Sequence, residues 1–158
     1  MSQNSPQDAA NFVSKLPVGD AQNKAAQQVA SQWANQDPQA AALWVSGFPS
    51  GSTRDNAINS VISSWGRNDP AGAAQWLTLL PNDSGKQRAV QSYVSSISYQ
   101  YPELAAPWAA ALTDANQRSS SMQNVARQWM RTDPAAAKVW ISNSDLTDAV
   151  KTQLLNIK

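Results

Sequence analysis

The sequence predicts an all-α fold: an α–α solenoid, or superhelix, of five 32-residue helix-turn-helix repeats with ten helices in all. Three observations carry this. Prolines recur at positions 6, 38, 70, 102 and 134, an unbroken spacing of 32 residues. An alanine follows each by three residues (Ala9, Ala41, Ala73, Ala105, Ala137) and a large aromatic by six (Phe12, Trp44, Trp76, Trp108, Trp140). Five residues before four of the prolines stand Trp33, Trp65, Ile97 and Trp129, so all seven tryptophans fall in two columns. A fixed period of this length marks stacked supersecondary units that cannot bury their apolar faces alone. The repeats divide at about 5–36, 37–68, 69–100, 101–132 and 133–158, and the whole chain, 1–158, reads as one helical-repeat domain.

Each unit resolves into two helices. Helix A opens at Asp37-Pro38, Asp69-Pro70 and Asp133-Pro134, with Ser5-Pro6 as the first variant. Aspartate or serine at N-cap accepts hydrogen bonds from the free N–H groups of the first turn, and proline at N1 gives up no bond there. Pro17, Pro49 and Pro81 stop the helix after roughly three turns. Helix B follows a polar Gly/Ser/Asp turn. Its buried face reads Ala25, Val29, Trp33, then Ala57, Val61, Trp65, then Ala89, Tyr93, Ile97, with Ala26, Ile58, Val90 and Met122 widening the stripe. The alanine column lets helix backbones approach, and the tryptophan one turn later fills the space between units. In the last unit Asp145 takes the place of the stop proline, Ser144 that of the leucine before it, and Gln153 and Lys158 occupy otherwise apolar helix B positions. A polar terminal unit is what solubility requires of an array.

Composition narrows the function classes. The chain has no cysteine and no histidine, which removes disulfides, thiolate or imidazole metal sites and Ser-His-Asp chemistry. Twelve basic against eleven acidic residues argue against nucleic acid as a partner. No apolar run is long enough to span a membrane, and Met1-Ser2-Gln3-Asn4-Ser5-Pro6 has no signal-peptide character, so compartment stays open between cytoplasmic and secreted. Asp37, Asp69 and Asp133 are accounted for as caps, which leaves no constellation for catalysis. No cofactor is expected.

The motif Trp-x-x-x-Asp-Pro-x-x-Ala-x-x-Trp-x-x-x-Leu-Pro, present at Trp65 to Pro81 and, with Phe48 in place of the leucine, at Trp33 to Pro49, resembles one repeated in long bacterial proteins of unassigned function. More broadly the chain resembles the two-helix repeat superfamily, tetratricopeptide-like and HEAT-like. The period is 32 rather than the 34 of tetratricopeptide repeats, and the Trp…Leu-Gly…Tyr signature is missing. The resemblance covers the whole chain and implies a binding scaffold, with no functional residue to transfer.

Two places stand apart from the regular pattern as candidate sites. At the joint between the third and fourth units Ile97 replaces tryptophan, Tyr101 replaces the capping aspartate, and Pro107 enters helix A, where it should bend or delay the helix. All three tyrosines (Tyr93, Tyr99, Tyr101) and the sole glutamate, Glu103, fall there. Departures from local rules concentrate at functional or strained sites. The second place is a basic column at the start of helix B, Arg54, Lys86 and Arg118, again 32 apart. Cations oppose the macrodipole at a helix N-terminus, so the column reads as a strip for an acidic partner or as a mixed-charge edge neutralised by Asp20, Asp55, Asp83 and Asp114. The resulting expectation is a non-enzymatic scaffold binding a protein or peptide through helix B residues and the tyrosines. The alternatives are a structural module that self-associates end to end, and carbohydrate binding by exposed tryptophans.

Overall fold

A computed structural model describes residues 5–157; Met1 to Asn4 and Lys158, read above as a non-signal terminus and a polar end position, lie outside them. Among the described residues there are ten α-helices and no strand. The A helices are α1 (Pro6–Ser14), α3 (Pro38–Ser46), α5 (Pro70–Leu79), α7 (Pro102–Ala110) and α9 (Pro134–Asn143). The B helices are α2 (Asp20–Ala34), α4 (Ser52–Asn68), α6 (Ser84–Ile97), α8 (Ala115–Thr132) and α10 (Asp148–Leu155).

Local chemistry sets these boundaries. Asp37, Asp69 and Asp133 Oδ1 accept from the N–H groups of Ala40, Gly72 and Ala136 at 3.0, 2.9 and 3.1 Å, and Ser5 Oγ accepts from Asp8 N at 3.2 Å. Tyr101, which cannot cap, makes no such bond. Helix α7 nevertheless starts on schedule at Pro102 and is as long as α1 and α3, so Pro107 does not delay it. Glu103, whose carbonyl loses its partner to that proline, is exposed, where water can serve it. Gly19 and Gly51 precede α2 and α4 with φ of 157° and 149°, a backbone that a β-carbon would strain.

The chain forms two compact units, Met1–Ala89 and Val90–Lys158, which meet inside α6. In the first, α2 packs on α1, α3 and above all α4, and α4 packs on α3 and α5. In the second, α7 packs on α8, α8 on α9, and α10 on both α8 and α9. Helical pairs therefore stack within each unit as a repeat solenoid requires. Ala41, Ala73, Ala105 and Ala137 are completely buried, as are Ala57, Val61 and Ile62 of α4. In α2 the stripe is turned: Ala26 and Ala30 are fully buried, while Ala25 and Val29 are only half-buried. Helix α4 lies between two helical pairs of its unit and buries both sides, whereas in α2 it is the Ala26/Ala30 side that is closed.

The two tryptophan columns meet in pairs. Trp65 stacks on Trp76, and Trp33 and Trp129 meet Trp44 and Trp140 at a tilt of 42° and 41°, with ring centroids 6.0, 5.9 and 5.8 Å apart; in each case the Asp-Pro cap lies between the two tryptophans in sequence. At the third joint Ile97 leaves Trp108 without its indole partner, and Tyr93, one turn earlier in α6, packs edge-on against Trp108 at 5.7 Å. The equivalent residues elsewhere are Val29, Val61 and Val125. A large ring at 93 thus fills the volume that a small residue at 97 vacates.

Candidate binding surface

The basic column turns out to have structural work. Lys86 Nζ donates to the carbonyls of Leu80 (3.1 Å) and Thr78 (3.3 Å), and Arg118 Nη1 donates to Leu112 (2.8 Å) and Thr113 (3.4 Å). Each cation therefore reaches back six residues to the unpaired carbonyls at the end of the preceding A helix, where positive charge is favourable. Arg54 instead pairs with Asp83 at 2.8 Å and Asp55 at 3.5 Å, and Asp55 also pairs with Arg88 at 3.1 Å. The Asp83 carboxyl is held below its ordinary pKa, first by the N–H that Lys86 donates to it at 3.0 Å and then by the Arg54 guanidinium. Gly85 leaves room for Asp55, since a β-carbon there would collide with its carboxylate. Arg118 Nε also lies 3.4 Å from Asp145, while Asp114 is engaged as the N-cap of α8. Arg54 and Lys86 meet around Asp83, and Arg118 belongs to the second unit.

The tyrosines divide. Tyr93 is 1% exposed, so it is a core residue and cannot serve as a surface anchor. Tyr99 is 72% exposed, Tyr101 half-buried and Glu103 exposed, all at the turn into α7. Among the described residues neither the Tyr99 nor the Tyr101 hydroxyl has a hydrogen-bond partner. Trp33 and Trp65 are buried against their partner rings, which removes both from any groove of exposed indoles.

The surface with the strongest apolar character lies elsewhere. Among the described residues, the exposed large hydrophobic side chains are Phe12, Leu43, Leu79, Leu104 and Val139 on A helices, and Val18 and Tyr99 in turns; none is on a B helix. Counted from the opening prolines the five helical ones stand at positions 2, 5, 6 and 9. At about 100° per residue these fall within an arc of about 100°, opposite the buried alanine at position 3 and Val45, Leu77 and Ile141 at position 7. Among the described residues the A helices thus carry a second apolar face that is left exposed. Sequence patterning missed it because a leucine in a helix reads as core; its position outside the Ala/Leu stripe was the available signal.

Two clefts of the first unit adjoin this face. One, of about 300 Å³, runs between α3 and α5 and is lined by Leu43, Leu79, Trp76, Trp65 and Gln39 among others. The other, of about 530 Å³, is bounded by Leu16, Val18, Trp44 and Phe48 and by the turn before α4; Trp44 and Phe48 meet there edge to face at 5.1 Å. Neither is lined by a titratable side chain. Such walls supply apolar area and a few amide or hydroxyl hydrogen bonds, with no group to move a proton. Among the described residues no three acidic side chains come together as a metal site, and no helix is long and apolar enough to cross a membrane. Comparison of the chain with protein-family models, with curated proteins and with solved structures finds no match.

Proposed function

We propose that the protein is a non-enzymatic helical-repeat scaffold that docks an apolar segment of a protein or peptide partner on its A-helix face, with the α3–α5 cleft as the seat. The observation that carries this reading is the confinement of exposed large apolar helical side chains to one arc of the A helices. Such side chains on a regular face are characteristic of interaction surfaces, and Leu43 and Leu79, 78% and 81% exposed, flank a cleft into which a partner side chain can insert. The two-helix repeat resemblance points the same way. The test is capture of binding partners by the full chain and by Leu43→Asp/Leu79→Asp. Both positions are solvent-facing, so the double variant should fold normally and lose the partner; undiminished capture would refute the reading.

A second reading, end-to-end self-association, rests on one contrast. Ala57 and Val61 are fully covered, whereas Ala25 and Val29 at the equivalent positions line an open groove of about 450 Å³ beside the exposed ring of Phe12. Another helical pair fits that groove by the same packing that α4 uses. Phe12→Asp should then abolish any rise of sedimentation-average mass with concentration, and a mass that stays monomeric at all concentrations would exclude this reading.

A further inference from the structure

The B helices present a surface of the opposite chemistry, and its details point to a ligand. Between α2 and α4 lies a groove of about 430 Å³ lined by Gln27, Ser31, Asn56, Asn59, Ser63 and Arg67, together with Ser60 and Ser64. No aromatic or aliphatic side chain contributes to it. Gln27 Nε2 and Asn56 Nδ2 each donate one hydrogen to Asn23 Oδ1, at 3.4 and 3.2 Å. The carbonyl oxygens of Gln27 and Asn56 are therefore left as acceptors without a partner among the described residues. Asn59 goes further, since its Oδ1 is shut off from solvent and has no hydrogen-bond partner among the described residues. Burying a carboxamide end unpaired costs stability, and leucine would fill the same space at no such cost. A carboxamide nonetheless recurs at this position in four successive repeats, as Gln27, Asn59, Gln91 and Gln123, all half-buried. Arg67, at the end of the groove, is exposed and has no ion-pair partner among the described residues.

We infer that the α2–α4 groove is a second binding site, which takes the main chain of an extended peptide carrying an acidic group. An extended chain offers backbone N–H donors to the free carbonyls of Gln27 and Asn56 and both donor and acceptor to the amide of Asn59, which must turn to meet it. Arg67 receives the acidic side chain or a terminal carboxylate in the bidentate geometry that guanidinium favours. A sugar would satisfy the same carboxamides, but the groove has no ring on which to stack one. The site is independent of the A-helix face: it shares no lining residue with the α3–α5 cleft.

The test uses the full chain against a random 12-residue peptide library, followed by NMR titration of the selected peptides and of a soluble oligosaccharide, maltohexaose. Selected peptides should contain an acidic residue and should shift the side-chain amide signals of Gln27, Asn56 and Asn59. Asn59→Leu should weaken their binding by about tenfold or more while raising Tm by about 2–4 °C, because it removes the unpaired buried amide. A residue kept for structure alone would show the opposite sign in Tm. Arg67→Gln, at an exposed position that cannot threaten folding, should weaken the same peptides, and N-methylation of their contacting backbone amides should abolish binding. Failure to select any peptide would overturn the inference. So would peptides that bind Asn59→Leu as well as the native chain, or amide shifts produced by maltohexaose and not by peptide. Loss of binding in Leu43→Asp/Leu79→Asp with no effect of Asn59→Leu would assign the peptides to the A-helix face and also refute it.

Discussion

Replacing Tyr93 with valine and Ile97 with tryptophan, singly and together, asks whether the irregular joint is built to compensate itself. Tyr93→Val alone removes a fully buried ring and its edge-on contact with Trp108 at 5.7 Å. Complete truncation of a buried aromatic costs about 3–5 kcal/mol, and valine retains part of the volume, so the expected loss is about 2–3 kcal/mol, of which the ring pair accounts for about 0.5–1.5. Ile97→Trp alone forces an indole into space that Tyr93 already occupies, where overpacking costs about 1–3 kcal/mol. Together they recreate the arrangement of Val61 with Trp65 facing Trp76, and of Val125 with Trp129 facing Trp140. The double variant should therefore lie within about 1 kcal/mol of the native chain. Its coupling, read from urea unfolding followed by far-UV circular dichroism, should be about 2–6 kcal/mol in the stabilising direction, the summed single losses less what the double variant still loses. Additive losses would refute the compensation and leave Tyr93 without the role assigned to it.

Three further outcomes follow from the geometry. Gly72→Ala should turn the Asp69 carboxylate aside and break its 3.3 Å bond from the Trp65 indole N–H, because a β-carbon there meets both, yet keep the N-cap bond that Ala40 and Ala136 make at the equivalent positions; the net change in thermal unfolding should stay within about 1 kcal/mol, and a loss of more than about 2 kcal/mol would contradict this. Asp83→Asn keeps a capping oxygen for Lys86 N–H but removes the charge beside Arg54. Because the folded carboxyl titrates below its ordinary value of 3.8, its contribution is complete above that pH and fades as pH falls through the lowered pKa. The native chain should thus be the more stable at neutral pH and lose that advantage over the variant as pH falls through the lowered pKa, and parallel stability curves would count against the pairing. Arg118→Met should lower stability by roughly 1–2 kcal/mol by uncovering the Leu112 carbonyl, with Arg118→Lys recovering most of it; equal losses in both would place the role in packing instead.

How much of this was legible in the sequence depended on whether both partners of an interaction sit close in the chain. The Asp-Pro caps were, since Asp69 and the N–H of Gly72 that it accepts from are three residues apart. The Trp columns were visible, but their meeting across the cap, Trp33 on Trp44, needed the backbone path. At the third joint the misfit showed in Ile97, and its remedy did not, because Tyr93 lies a turn away on a face that looked merely apolar. Of the basic column, the pairing of Arg54 with neighbouring aspartates was legible, whereas the acceptors of Lys86 and Arg118 are main-chain carbonyls, which no residue type announces. The A-helix face escaped notice for a related reason: leucine is counted as core unless its angular position is checked, and Leu43 and Leu79 point away from the alanine stripe.

On the function proposed above, the apolar segment of the partner docks on the A-helix face beside Leu43 and Leu79, apart from the polar α2–α4 groove. Photo-crosslinking tests it directly. A benzophenone amino acid placed at Leu43 or Leu79 should join covalently to the captured partner, while the same group at Asn124, exposed on α8, should not. Crosslinks that form from Asn124 and not from Leu43 or Leu79 would contradict the account.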